Sequence, residues 1–320
     1  MKEAKIKIER MARLISQKSA LKLPLPVIEG VGPSYQWLPK GDWETIFDFL
    51  RECFPNVEAE AWLSRMAKGE VVDEKGLRLN SESRYRAGAC IFYYRELELE
   101  TKIPFAESII YQDEHLLVAD KPHFLPVIPS GKFLHETLLT RLRKKTNLEH
   151  LVPLHRIDRD TAGIVLFSHN SATRGFYATL FNDRKVEKVY EAIAGNLEGL
   201  SFPLTRRSRM VAGEPFFRMK EVDGEPNSET RIVEVEKMNS LSLYRLNAVT
   251  GKKHQIRLHL ASLGIPIIND NFYPVIKRIT EDDFSSPLQL LAKSVCFADP
   301  LTGQECFFES NRRLQQFALY

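Results

Sequence analysis

Between Ser108 and Phe297 the chain breaks into short apolar runs of strand length that do not alternate regularly with helices. Ser108-Ile109-Ile110-Tyr111 and His115-Leu116-Leu117-Val118-Ala119 are two such runs, split by the polar Gln112-Asp113-Glu114 and closed by Lys121-Pro122. Gly163–Ser168, Lys188–Ala194, Thr230–Val235, Leu241–Val249 and Val295–Phe297 read the same way. Helical spacing is found over Leu134–Lys145, Ser171–Asn182 and Lys253–Leu263. In the second of these, Ala172, Phe176, Tyr177, Leu180 and Phe181 fall on one face, with Asn170 or Ser171 placed to cap it. Strands in excess of helices, without strict alternation, predict an α+β fold with a mixed, mainly antiparallel sheet rather than a doubly wound parallel one.

The chain has 320 residues, which at roughly 150 residues per domain suggests about two domains. Three stretches are expected. Residues 1–40 form a basic helix over 1–22 and then an irregular connector, Leu23–Lys40, broken by Pro24, Pro26, Gly30, Gly32, Pro33 and Pro39. Residues 41–100 form a compact segment. Asp42 is placed to cap a helix through Trp43, Ile46, Phe47, Phe49 and Leu50. A second helix spans Val57–Lys68 and stops at Gly69. Strands follow at Glu70–Asp73 and Ala89–Tyr94, around a turn near Lys75-Gly76. The acidic Glu96–Pro104 reads as a linker, and 103–320 form the main body.

Charge and composition exclude several classes. Lys plus Arg number 45 and Asp plus Glu 42, a formal charge of +3. That excludes a protein that coats a polyelectrolyte, but not an enzyme with a local basic face. Ordinary apolar content excludes whole-chain disorder. No apolar run approaches the roughly 20 residues of a membrane span. The charged N-terminus lacks the apolar middle of a secretory signal. Cys53, Cys90, Cys296 and Cys306 are far apart, with no CxxC, and are expected to be buried, reduced thiols of a cytoplasmic protein.

Three polar clusters could carry chemistry. The densest is His155-Arg156-Ile157-Asp158-Arg159-Asp160-Thr161-Ala162-Gly163, lodged between Leu151–Leu154 and Ile164–Phe167. Alone it is either a salt-bridged surface turn or a site at a sheet edge. An aspartate held by arginine stays ionised, which suits a nucleophile or an electrostatic stabiliser and excludes a general acid. The second cluster is Lys185–Tyr190, where Tyr190 enters an apolar strand and by itself reads as a core tyrosine. The third is Thr250-Gly251-Lys252-Lys253-His254-Gln255-Ile256-Arg257-Leu258-His259, a strand end passing into a helix whose first turn could take phosphate. Arg257 lies beside the stripe Ile256, Leu260 and Leu263, so a buried guanidinium in need of an anion is expected. His254 and His259 are five apart with no Glu arranged between them, so no metal site is expected. GxxxxGK[ST] and GxGxxG do not occur, which disfavours a nucleotide-cofactor enzyme, and GxSxG is also absent.

Taken in order, His155-Arg-Ile-Asp158-Arg-Asp-Thr161-Ala-Gly163, Lys188-Val-Tyr190 and Gly251-Lys-Lys-His254-Gln-Ile-Arg257-Leu-His259 resemble the motifs of the RluA-type RNA pseudouridine synthases. Asp120-Lys121-Pro122, Ser228-Glu229-Thr230 and Leu288-Gln289-Leu290-Leu291-Ala292 extend the resemblance over about Ile103 to Phe308. Ile157 replaces the more usual Leu, Ala162 a frequent Ser, and Lys252-Lys253 the usual Arg-Thr. Asn269-Asp270-Asn271-Phe272-Tyr273-Pro274 replaces Gly-Asp-x-x-Tyr-Gly. The order helix–helix–strand–turn–strand in 41–100, with Arg65, Lys68, Arg84, Arg86 and Arg95, is similar to the small RNA-binding module of ribosomal-protein-S-four type.

The resemblance implies the pseudouridine synthase fold and conversion of specific uridines in structured ribosomal or transfer RNA to pseudouridine, with no cofactor, metal or membrane. It implies Asp158 as nucleophile, Arg257 as its partner, and Tyr190 stacked on the target base. His155, Arg156, Arg159, Thr161, Lys188, Lys253, His254 and Gln255 would contact substrate. Ribose attack, glycal formation and attack on the base all stay open. Arg141–Lys145, Arg206–Arg209 and Lys252-Lys253 are candidates for phosphate contacts. A monomer is the default. The rival readings are a glycoside hydrolase using Asp158 and Asp160, which would lack an acid of raised pKa, and a non-catalytic RNA-binding or ribosome-assembly protein.

Overall fold

The computed structural model describes residues 24–97, 99–277 and 283–315. The helix expected over residues 1–22 lies outside them. Two sheets form. The smaller has β1 (Ser34–Trp37), β2 (Val71–Asp73) and β3 (Cys90–Tyr93) in the order β1-β3-β2, both pairs antiparallel. Residues 34–37 were expected in an irregular connector. They are instead an edge strand, because Ser34–Trp37 alternates half-buried and exposed side chains along β3. Helices α1 (Ile46–Cys53) and α2 (Ala59–Lys68) cover one face, with Phe49, Leu50, Trp62 and Met66 packed on Val71, Ile91 and Tyr93.

Asp42 does not cap α1. Thr45 does, in a reciprocal capping box with Asp48. Trp43 is held out of the helix by its contacts with Phe49 and Tyr85, at 5.1 and 5.0 Å between ring centres. Gly69 ends α2 at φ 75°, as its position predicted.

The larger sheet has 11 strands. Its core strands are β5 (Leu116–Lys121), β7 (Ala162–Ser168), β8 (Glu187–Gly195), β11 (Ser228–Met238), β12 (Leu241–Ala248) and β13 (Leu290–Ala298). Their spatial order is β11-β12-β8-β13-β7-β5, with β4 (Ser108–Gln112) at one edge. Pairing is antiparallel except between β13 and β7, which run parallel. The fold is therefore α+β with a mixed, mostly antiparallel sheet, as expected.

The continuous apolar runs of β5 and β7 arise because both faces are covered. Leu117, Ala119, Val165 and Phe167 face α3 (Leu138–Thr146), through Leu138, Leu139 and Leu142. Leu116, Val118, Ile164 and Leu166 face α4 (Arg174–Asn182), through Tyr177 and Leu180. No side chain caps α4 at its Thr173 N-cap; Asn170 instead accepts the Ala172 N–H at 3.0 Å, just ahead of the helix.

The helix expected from Leu134 starts only at Leu138. Glu100 explains the delay: its carboxylate accepts the N–H groups of Leu134, His135 and Glu136 at 2.6, 2.9 and 2.8 Å. The expected linker is thus fastened to the body. Arg95 adds a bond to the Gly131 carbonyl, and Arg143 one to that of Gly30 at 3.5 Å.

Strands β9 (Leu204–Ala212), β10 (Met219–Val222) and β14 (Glu305–Glu309) were not expected from the sequence. All four cysteines are free, but only Cys90 is buried as expected; Cys296 and Cys306 are half-buried and Cys53 is exposed.

Candidate active site

The His155–Thr161 turn leaves β6 (Val152–Pro153), which pairs with the far end of β7, and re-enters at Ala162. The Thr161 N–H closes the turn on the Asp158 carbonyl at 3.2 Å. Gly163 sits where β7 meets β13. Its φ is +113°, and a Cβ there would lie 2.1 Å from the Ala292 carbonyl oxygen. Only glycine lets the two strands close beneath the turn.

Helix α5 (Gln255–Ser262) supplies the opposite wall. Its N-cap, His254, has φ 54° and no side-chain cap. Gln255 secures the entry: it accepts from Thr250 Oγ1 at 2.6 Å and the Lys252 N–H at 3.1 Å, and donates to the Glu229 carbonyl and Thr230 Oγ1, both at 2.9 Å. With those bonds made, Gln255 is a clamp within the protein, and its expected substrate contact is not free to form.

Arg257 lies two residues further on, 1% exposed. Its Nη1 reaches the Asp158 carboxylate at 3.3 Å. Its Nε and Nη2 each donate to Asp270 at 2.8 Å. The Phe272 ring lies 4.8 Å from the guanidinium. Burial disfavours the charge, but Asp270, with Asp158 and Asp160 behind it, outweighs that and raises the Arg257 pKa. The expected buried arginine in need of an anion is thus found, with two carboxylates. Asp270 also accepts the N–H groups of Phe272 and Tyr273, at 2.8 and 3.1 Å.

His254 Nε2 stands 3.9 Å from Asp158, and its Nδ1 is 3.1 Å from the Tyr273 hydroxyl. Burial pulls its pKa down to about 4 against the opposing pull of Asp158, so at neutral pH it is an uncharged neighbour of Asp158. Tyr190, on β8 opposite Leu246 and Ala292, faces the same space. Burial, then the Asp158 charge, pushes its pKa up.

Beneath the turn, Lys121 is fully buried. Its Nζ donates to the carbonyls of Pro122, Leu125 and Arg159 at 2.9, 2.8 and 2.9 Å. Burial draws its pKa down to about 7, while Asp160 and Asp158 pull the other way.

All eleven residues expected to form the site line one cleft of 1360 Å³: His155, Arg156, Asp158, Arg159, Thr161, Lys188, Tyr190, Lys253, His254, Gln255 and Arg257. They do not all keep a free hand there. His155 Nε2 accepts the Leu166 N–H at 3.1 Å, its ring stacks on Phe181 at 4.8 Å, and burial lowers its pKa to about 3. His155 is therefore a neutral support of the turn. Arg159 donates to the Phe124 carbonyl at 3.1 Å and lies 5.0 Å over the Phe133 ring. Thr161 is buried, Lys188 half-buried, and Arg156 and Lys253 exposed.

The arginine runs expected on phosphate are largely engaged inside the protein. Arg141 bonds Ile103, Phe105, Glu107 and Glu136, and Arg143 the Leu151 carbonyl. Arg206 pairs with Glu221, and Arg207 with Glu229. Lys252 and Lys253 remain exposed.

Sequence reasoning gave no role to Asp270, Phe272 or Lys121, although all three stand inside quoted motifs. The signal was present in Asp270-x-x-Tyr273 and in Lys121-Pro122. Among the described residues no group of three or more His, Cys, Asp or Glu side chains could hold a metal ion, and no helix is long and apolar enough to cross a membrane.

A family model described as RNA pseudouridylate synthase matches residues 115–262, the stretch that carries the turn, Tyr190 and Arg257. The dual-specificity RNA pseudouridine synthase RluA of Haemophilus influenzae is 31% identical over 220 residues, covering 63% of this chain and 92% of that protein. The tRNA pseudouridine synthase C of Vibrio cholerae is 31% identical over 214 residues, covering 62% and 87%. The solved structure of human RNA pseudouridylate synthase domain containing 1 shares the fold, with a TM-score of 0.52 and 21% identity over 69% of this chain and 96% of that one. The family model and these relatives mark an RNA-modifying isomerase. The chain belongs to the RluA-type family of RNA pseudouridine synthases.

Proposed function

We propose that this protein isomerises specific uridines in structured ribosomal or transfer RNA to pseudouridine, without cofactor or metal. The observation that carries the reading is the Asp158 carboxylate, 26% exposed at the cleft, 3.3 Å from a guanidinium that is itself buried. A half-buried carboxylate beside a fixed cation can act as a nucleophile or stabilise positive charge. Breaking the C1′–N1 bond of uridine leaves an electron-deficient ribose carbon, and Asp158 is the anion placed to meet it. The freed uracil turns, C5 bonds to C1′ as the Asp158 carboxylate lets that carbon go, the C5 proton leaves, and N1 takes up a proton. Tyr190 supplies the surface on which the base turns. With its pKa raised, its phenol stays protonated at neutral pH, which favours stacking over a role as base.

The target must leave its helix to enter the cleft. Extrusion costs a few kcal/mol, least in loops and bulges, so a stem-loop or bulged uridine is the substrate class. The hydrolase alternative fails on geometry. Asp158 is committed to Arg257, and Asp160 faces Arg159 at 4.0 Å, so each carboxyl is engaged with an arginine rather than facing the other across a bond to be cut.

The front part, centred on 41–100 and including β1, acts as an RNA-positioning module of ribosomal-protein-S-four type, and 103–320 carry the chemistry. The helix–helix–sheet arrangement supports this, as do the exposed Arg84 and Arg86. The protein works as a monomer.

The test is tritium release from cellular RNA labelled at uridine C5, taken from cells lacking the protein. The native chain releases tritium. Asp158→Asn, with fold and RNA affinity intact, does so at below about one hundredth of the rate, the scale of losing a covalent catalyst. Tight RNA binding without any release would instead make this an assembly factor.

A further inference from the structure

Phe272, in the cleft wall beneath Arg257, begins a line of aromatic rings that leads out of the cleft. Phe217 lies 5.1 Å from Phe272 between ring centres, and Phe216 5.7 Å from Phe217. Both sit in the turn between β9 and β10, and Phe216 is 88% exposed. The turn is braced. Arg218 lies 4.9 Å over the Tyr273 ring and donates to the Pro274 carbonyl at 2.8 Å. The Met219 N–H donates to the Tyr273 hydroxyl at 2.8 Å. Inside the turn, the N–H of Arg218 meets the Pro215 carbonyl at 2.8 Å, and that of Gly213 meets the Arg218 carbonyl at 3.0 Å. A bare aromatic ring is thus held in water at a set place beside the cleft.

We propose that Phe216 and Phe217 form a stacking subsite for an unpaired base of the RNA strand that carries the target uridine. The inference rests on the RNA-isomerase reading and adds a second base contact to it. Three features favour a nucleobase. The rings continue the wall of the cleft that would receive the extruded uridine. Exposed Lys252 and Lys253 line the same cleft, where a backbone entering beside the rings would pass. Exposed Glu214 and Lys220 flank the two rings in sequence, and within the turn Phe216 is the large apolar side chain most open to water, a flat ring face rather than a long apolar strip. Aromatic faces accept any base, because every base has a π-face, and a loop or bulge supplies unpaired neighbours.

The test compares a fluorescein-labelled oligouridylate of about twelve nucleotides with an abasic ribose-phosphate chain of the same length, by anisotropy. Phe216→Ala weakens binding of the oligouridylate about tenfold and leaves binding of the abasic chain unchanged. Phe216→Trp restores the affinity and Phe216→Leu does not, since stacking needs a ring. Equal losses on both oligomers, no loss on either, or full rescue by leucine would overturn the proposal. So would a Phe216→Ala sedimentation coefficient that fell from dimer to monomer, which would make the tip a self-association face. None of these readouts depends on turnover. Absent tritium release from RNA sinks the isomerase reading, whereas tritium release with Phe216→Ala binding normally sinks only the subsite.

Discussion

Arg257 meets Asp270 edge-on, Nε and Nη2 each 2.8 Å from a carboxylate oxygen, with both side chains 1% exposed. Two parallel N–H···O bonds fix the plane of a guanidinium as well as its position. One nitrogen is left, Nη1, and it points at Asp158. The orientation of the proposed nucleophile is therefore set from a loop 13 residues beyond the arginine.

Replacing Asp270 with Asn removes one of the two bonds and the charge that holds Arg257. Breaking one side of a buried pair costs about 3–5 kcal/mol. Asp270→Asn is expected to lower the urea midpoint and to cut turnover at least tenfold, with RNA affinity nearly unchanged. Native stability together with native turnover would show that the pairing matters to neither.

Tyr190 is expected to act through its ring. Tyr190→Phe keeps affinity for a target stem-loop within about twofold, and Tyr190→Ala loses about tenfold, the scale of one stacked base. A fluorescence titration distinguishes them. If Phe and Ala weaken binding equally, the hydroxyl rather than the ring makes the contact.

Lys121 matches its three ammonium hydrogens to three buried carbonyls. Lys121→Met fills the same space but leaves those acceptors bare, at about 1–3 kcal/mol each before relaxation. A loss of at least about 3 kcal/mol in urea unfolding is expected. A methionine variant as stable as the native chain would show that the carbonyls had found other donors.

Four histidines, two buried and two half-buried, give a pH signature. Burial lowers the pKa of His155 to about 3, and those of His123, His254 and His259 to about 4. The unfolded chain binds these protons near the ordinary histidine pKa of about 6.5. Between that value and about 4 the unfolded state holds more protons, so stability rises with pH there. It is fully present above about pH 6.5 and is lost as pH falls, by about 1.4 kcal/mol per pH unit for each proton taken up on unfolding. Urea midpoints at pH 7 and pH 5 check this; equal midpoints would contradict it.

The pairing of Asp158 with Arg257, 99 residues apart, was implied by the family resemblance; the residues alone pointed only to a buried guanidinium in need of an anion. Asp270 was not legible, because its partner is met only after the chain turns back from α5. The strands of the central sheet were readable from their apolar runs. β9 was not, since its inward residues include Arg206 and Ser208, which face Glu221 and His259 rather than a greasy core. Alternation of apolar and polar residues fails where the buried side is itself polar. The late start of α3 had no local signal either, because the groups that would have begun the helix are taken by Glu100, 34 to 36 residues upstream.

That clasp of Glu100 also governs how the molecule can approach a ligand. The tether between the front part and the body is spliced into the same stretch, Gly131–Glu136, whose first residues border the cleft. A swivel at this joint would break those bonds. On the proposal that the front part meets RNA, the same bonds favour one separation between that contact and the cleft, and the joint would then read the shape of the substrate.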